Sequence, residues 1–205
     1  MYTPRIYREN DREFLCAFMR RFSFATLVSA EETRPRATHL PFVVEQRDEK
    51  LVLSSHMARA NPQWKEFKKN PLLVIFQEPH GYVSPRHYEH SNNVPTWNYI
   101  AVHCYGQARI LRSKVEKIAL LERTFAVYEK EFQSQWETLP QTYRDGLLRG
   151  IVASEIEVQE IEGKQKLSQG KAAPERERIT NHFLDSADAA ENTLGEFMKK
   201  YPYKR

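Results

Sequence analysis

The 205-residue chain has only two cysteines and seven glycines. Cys16 and Cys104 lack CxxC spacing and fall in segments that read as core, which excludes a disulfide scaffold or a cysteine zinc site and fits a reducing compartment. Neither GxGxxG nor GxxxxGK occurs, so Rossmann and P-loop routes to a nucleotide are disfavoured. No run approaches the roughly 20 apolar residues that span a bilayer, and Met1 to Arg12 is polar rather than signal-like. The expectation is a cytoplasmic protein with no membrane partner. Charge of one sign is scarce as well: 31 basic residues are interleaved with 27 acidic ones, leaving +4. The densest basic stretches, Arg20-Arg21, Lys65 to Lys69 and Lys164 to Lys171, are short or mixed, and read as solvated faces or single anion contacts. No helix-turn-helix word or zinc module points to DNA. What is present is 40% hydrophobic and 12% aromatic residues. One core could bury about 70% of the chain surface, so a single domain over 1–205 is expected, with a helical C-terminal extension from about 174.

Apolar positions Phe14, Leu15, Phe18, Met19 and Phe22 recur at helical spacing and predict a helix over 10–21, capped by Asn10 or Asp11. Extended runs over 24–30, 37–45 and 50–55, with turns at 31–36 and 46–49, read as an antiparallel meander. Asn61-Pro62 predicts a short helix over 62–69 with Trp64 and Phe67 inward, and 72–77 reads as a buried strand. Pro79, Gly81, Pro85 and Pro95 predict an irregular loop over 78–95. The longest strand candidate, 97–111, places Ile100, Val102 and Cys104 on one face and Tyr99, His103 and Tyr105 on the other. Ser113 to Glu116 matches a capping box and predicts a helix to about Phe132. A helix over 142–149, a strand over 151–161 and one or two exposed helices over 174–201 follow. About six strands in hairpins, with helices inserted, fit an antiparallel α+β barrel better than a doubly wound sheet.

Chemistry concentrates in two stretches. In Leu53-Ser54-Ser55-His56-Met57-Ala58-Arg59-Ala60-Asn61-Pro62 a strand end delivers two hydroxyls, an imidazole and a guanidinium just before a helix with free N–H groups. Those are the parts of a phosphate site. The plainer reading is that the serines end a strand, Asn61 only caps and Arg59 is a surface charge. The second stretch, Gly81 to Tyr88 with Val94 to Tyr99, sets aromatics and hydrogen-bonding groups in a proline-stiffened segment that could wall a flat heteroaromatic ligand or simply pin a loop. His80, His87 and His90 have no fixed ligand spacing, and no metal site is assigned to them. No serine lies in a GxSxG context and neither cysteine has an electropositive setting, so catalytic residues are not identified. Any reactivity would come from a bound cofactor.

Five words run in order along the chain: Ala37-Thr38-His39-Leu40-Pro41-Phe42, His56-Met57-Ala58-Arg59-Ala60-Asn61-Pro62-Gln63-Trp64, Tyr82-Val83-Ser84-Pro85, Val94-Pro95-Thr96-Trp97-Asn98-Tyr99 with Val102-His103 and Gly106, and Lys166-Leu167-Ser168-Gln169. In these the sequence resembles the PaiB-type family, described as FMN-binding negative transcriptional regulators and related to pyridoxamine-phosphate oxidases. The resemblance implies a six-stranded antiparallel split β-barrel of the FMN-binding type with flanking helices, acting as a homodimer with FMN at the subunit interface. It implies a phosphate held by Ser54, Ser55, His56, Arg59 and Asn61, and a ring lying across Leu40, Pro41 and Phe42. Trp97, Asn98, His103 and Gln169, the last within the Lys166 to Lys171 segment, would come from the partner chain. The sequence departs from the family pattern at His87, where a tryptophan is expected, and in the run after Gln169. Two other readings stay open: a flavin-dependent oxidoreductase acting on a small molecule, and a haem-binding or haem-degrading split barrel. DNA contact rests on the family label alone.

Overall fold

The computed structural model describes residues 1–31, 34–68, 70–90 and 92–201. Parts of the expected 31–36 turn, Lys69 of the expected 62–69 helix, Ser91 of the expected loop and residues 202–205 of the C-terminal extension lie outside the described residues.

Among the described residues eight strands form one sheet rather than the expected six: β1 (Arg8–Glu9), β2 (Phe24–Glu31), β3 (Arg34–Pro41), β4 (Val43–Arg47), β5 (Lys50–Ala58), β6 (Leu72–Val83), β7 (Thr96–Leu111) and β8 (Ile151–Lys166). Their order is β3-β2-β6-β7-β8-β5-β4, with β1 paired to β8. The expected meander is instead two hairpins, β2-β3 and β4-β5, at opposite ends of that path. The run 37–45 divides at Phe42, whose N–H leaves the ladder and bonds the carbonyl of Ser23 at 2.9 Å. The chain forms two compact units. One comprises residues 1–15, 77–102 and 162–205, the other 16–76 and 103–161.

In the first unit the α1 helix (Arg12–Arg21) begins, capped by Asp11, whose carboxylate accepts the N–H groups of Glu13 and Phe14 at 2.9 and 3.2 Å. The stretch expected to be irregular is strand as far as Val83, followed by a 3-10 turn over Pro85–His87. A glycine at 81 permits this: a Cβ there would meet the Phe183 ring at 2.7 Å. Phe183 belongs to α5 (Ala173–Leu184), which pairs with α6 (Ala189–Lys200). These helices are not exposed appendages, because Ile179, Phe183, Leu194 and Met198 are fully buried.

The second unit buries Leu27, Phe42, Leu53, Phe67, Val74, Phe76, Cys104 and Ile156. Pro62–Glu66 is a 3-10 turn rather than an α-helix. Its inward residues are Gln63 and Glu66 together with Phe67, while Trp64 is half-buried. The two buried polar groups are tolerated because each is satisfied. Gln63 Nε2 donates to the carbonyl of Leu27 and to Ser29 Oγ, and Glu66 accepts from Ser29 Oγ and Arg36 Nε. Between β7 and β8 lie α2 (Lys114–Tyr128), α3 (Phe132–Thr138) and α4 (Gln141–Gly150). The Ser113–Glu116 capping box forms as expected. The helix it starts ends four residues early, at Tyr128, and the chain turns so that Phe132 meets Phe125 edge-on at 4.9 Å.

Candidate functional site

Residues of the Ser54 to Asn61 stretch are drawn to the end of β3 by side-chain bonds. Asn61 Oδ1 accepts the N–H of Gln63 at 3.0 Å, and Asn61 Nδ2 donates to Thr38 Oγ1 at 2.9 Å. Gln63 Nε2 also donates to the carbonyl of Arg36 at 3.1 Å. Ser55 Oγ donates to the carbonyl of Pro41 at 2.7 Å. The turn after β5 is thus fixed to β3, which pairs in the sheet with β2 alone. One edge of β3 therefore has no strand partner among the described residues, although Pro35 and Pro41 bring no N–H to it and the Pro41 carbonyl is taken by Ser55.

Leu40 and Phe42 are 9% and 2% exposed, so their side chains belong to the core and hold the strand from behind. What the outer face offers is Phe24, 69% exposed and stacked 6.5 Å from the His39 ring, with Thr26 Oγ1 3.0 Å from His39 Nδ1. Sequence reasoning did not group these three. The cross-strand register, Thr26 opposite His39 and Phe24 opposite Pro41, is the signal that would have done so.

Arg59 has a second task. Its Nε donates to the carbonyl of Arg149 at 2.7 Å and its backbone N–H to that of Gly150 at 2.8 Å. Lys117 Nζ bonds the carbonyls of Leu148 and Ile151 at 2.6 and 3.2 Å. Two cations thereby satisfy the last carbonyls of α4, where the helix dipole favours positive charge. Burial, and then the charge of Arg59, push the Lys117 ammonium below its ordinary pKa. Among the described residues the terminal guanidinium nitrogens of Arg59 carry no hydrogen bond. The helix N-terminus expected behind a phosphate is only a five-residue 3-10 turn, and Asn61 already accepts the N–H of Gln63 there.

Ser54 and Ser55, expected to act together, point to opposite faces because strand side chains alternate. Ser54 is fully buried on the face that also carries His56, and among the described residues its hydroxyl has no partner. His103 is half-buried, its ring 6.4 Å from that of Tyr105.

The remaining expected residues lie in the other unit. Trp97 is 52% exposed and meets Tyr82 edge-on at 5.7 Å and His80 at 6.1 Å. Asn98 is fully buried, and its Nδ2 donates to Ser168 Oγ at 2.9 Å, which holds the left-handed Ser168 (φ 59°) in place. Gln169 closes the turn after β8, accepting from the Leu167 N–H at 2.7 Å and donating to the Gln165 carbonyl. Both amides are occupied within their own unit. His87 packs 4.8 Å from His182, and burial followed by the charges of His182 and its neighbouring arginines lowers its pKa.

Residues 1–160 match a family model described as "Putative FMN-binding domain". Across 202 residues, 97% of both chains, the sequence is 34% identical to a Bacillus subtilis (strain 168) protein named Protease synthase and sporulation protein PAI 2. The chain belongs to this FMN-binding family. Its membership bears out the PaiB-type resemblance, and FMN is the cofactor that membership assigns to it. Among solved structures, the flavocytochrome Anf3 from Azotobacter vinelandii aligns with TM-score 0.63 at 16% identity, over 80% of this chain and 72% of that one. The FAD and heme binding protein from Mycobacterium smegmatis aligns with TM-score 0.59 at 16% identity, over 83% and 78%. These likenesses establish the split-barrel fold.

The residues around β3 fit FMN. A phosphate needs a cation with free N–H groups, which Arg59 supplies, and a neutral donor, which the second N–H of Asn61 Nδ2 supplies; the Thr38 hydroxyl, donating to Gln63 Oε1, orients Asn61. The flavin ring carries an amide-like rim of donors and acceptors, and an unpaired strand edge is its natural complement.

Proposed function

We propose that the protein acts as a homodimeric FMN-binding regulator whose flavin phosphate is held by Arg59 and Asn61 and whose ring lies against β3 beside Leu40 to Phe42. The observation that carries this reading is that Asn61 and Gln63 tie the β3 edge to the turn bearing Arg59. When bound, FMN supplies one- and two-electron chemistry. Arg59 neutralises phosphate charge, Asn61 is oriented by Thr38, and the buried Leu40 and Phe42 keep the strand in register. An unpaired edge beside an exposed Phe24 favours cover by a second copy of the chain. The regulatory role is what the PaiB-type family resemblance implies, and the 34% identity to the PAI 2 protein supports extending it to this chain. With 31 basic and 27 acidic residues interleaved, regulation through the bound ligand is favoured over a basic DNA-binding face.

Gel filtration of the protein with FMN tests this directly: flavin absorbance is expected to elute with protein at the mass of two chains. Protein that leaves FMN behind, or that carries a haem spectrum in its place, overturns the flavin reading. Arg59→Ala is expected to weaken FMN roughly tenfold or more and riboflavin less than about twofold, since only the phosphate contact is lost. Titration calorimetry with both ligands checks it. Equal losses would mean that Arg59 matters only through the end of α4.

A further inference from the structure

The face of β5 opposite Ser55 has no part in the β3 edge. Register places Ser54 across from Val43 and Glu155, and His56 across from Ala153. Ala153 is packed in a second core with Leu111, Leu120, Leu121, Trp136 and Leu148, so α2, α3 and α4 cover this face. They do not fill it. A cavity of about 470 Å³ remains, lined by His56, Leu121, Phe125, Phe132, Trp136 and Ile151 among others. That volume lies within the range of small-molecule sites.

The walls are aromatic and fixed: Phe125 meets Phe132 at 4.9 Å and Trp136 at 5.6 Å. Among the described residues no Asp, Glu, Lys or Arg lines the cavity. His56 is its one imidazole, and among the described residues the ring makes no hydrogen bond. Burial lowers its pKa, which leaves a neutral ring with one donor and one acceptor to offer. Two residues away, the buried hydroxyl of Ser54 is also without a partner among the described residues. Its other polar lining groups, Thr124, Gln135 and Tyr143, are neutral, so a phosphate or carboxylate would meet no counter-charge in the lining.

We infer that this cavity is a second ligand site, separate from the β3 edge, that takes an uncharged aromatic molecule bearing one hydroxyl or carbonyl group. His56 anchors the polar group, and Phe125, Phe132 and Trp136 form the walls. The inference stands independently of the flavin reading, because FMN uptake is measured separately.

The test is titration calorimetry of the full chain with 2-naphthol, with and without FMN. Saturable binding of one 2-naphthol per chain, unchanged by FMN, is expected, with no binding of naphthalene-2-carboxylate. His56→Leu is expected to weaken 2-naphthol roughly fivefold. Leu147→Trp, at a rim position that is 43% exposed, is expected to abolish 2-naphthol binding while melting temperature and FMN uptake stay at wild-type values. Lack of saturation, competition with FMN, equal binding of the carboxylate, or unchanged affinity in His56→Leu would each overturn the inference.

Discussion

Gly106→Ala is expected to leave the protein largely unfolded. Gly106 is buried in the middle of β7, and a Cβ built on it would lie 2.1 Å from the carbonyl oxygen of Glu157, 2.9 Å from its carbonyl carbon and 3.0 Å from Ile156 Cγ2. The first two are backbone atoms of β8, so no side-chain rotation relieves the overlap. β8 cannot step back either, since on its other side Glu157 and Ile156 pair with Val52 and Leu53 of β5. Overpacking against movable side chains costs about 1–3 kcal/mol; against a strand held on both sides the cost should exceed that and consume much of a total stability of about 5–15 kcal/mol. No glycine in the chain has a positive φ among the described residues. Close approach, not backbone conformation, is therefore what position 106 demands. Gly146→Ala is the control: it lies on exposed α4 with only Arg149 Nη2 nearby, at 3.9 Å, and alanine there should stabilise by about 0.5–1 kcal/mol. Soluble yield and thermal melts by circular dichroism check both. A Gly106→Ala melt near that of wild type would mean that β7 and β8 separate more easily than their ladder suggests.

Local rules made some elements legible and long-range contacts hid others. The α1 helix and its Asp11 cap, the Ser113–Glu116 box and the alternating faces of β7 follow from spacing alone, and the structure keeps them. The division of 37–45 does not follow, because it depends on the Phe42 N–H finding Ser23 nineteen residues earlier. Proline and glycine argued for a loop over 78–95, yet β6 continues to Val83 because the space at Gly81 is taken by a ring from α5. The same division holds at the site. A turn carrying Arg59 and Asn61 was readable from Asn61-Pro62, whereas the partner of Arg59 Nε lies 90 residues away at Arg149. Period two alone separates Ser54 from Ser55, and applying it would have moved His56 from the phosphate group to the helix-covered face. The walls around His56 come from α2 to α4, which nothing near position 56 announces. Family membership followed from whole words such as Val94 to Tyr99, which encode ancestry rather than geometry.

Glu155→Ala is expected to give the next largest loss of stability. The Glu155 carboxylate is nearly buried, at 8% exposure, and accepts hydrogen bonds at 2.9 Å from Arg47, Arg109 and Arg123. Glu45 and Glu116 pair with the same arginines, so three positive charges face three negative ones. Burial works against ionisation of Glu155, but the hydrogen bonds of Arg47 and Arg109 and the charges of Arg47 and Arg123 outweigh it and hold its pKa below the ordinary carboxylate value. Removing the carboxylate leaves one uncompensated guanidinium beside β8. A fully buried pair broken this way costs about 3–5 kcal/mol; here Arg109 is 61% exposed and Arg47 37% exposed, so water offsets part of it and about 2–3 kcal/mol is expected. The sign of the pH dependence follows from the lowered pKa. The native state binds fewer protons than the unfolded chain in acid, so the stabilisation is complete above the unfolded carboxylate pKa, about 4.3, and is lost as pH falls through the native value. Urea denaturation of wild type and variant at neutral pH and at successively lower pH measures it. The gap should be widest at neutral pH and close in acid as wild type loses the charge that the variant never had. A gap that stays constant with pH would mean that Glu155 supports β8 through packing and not through its charge.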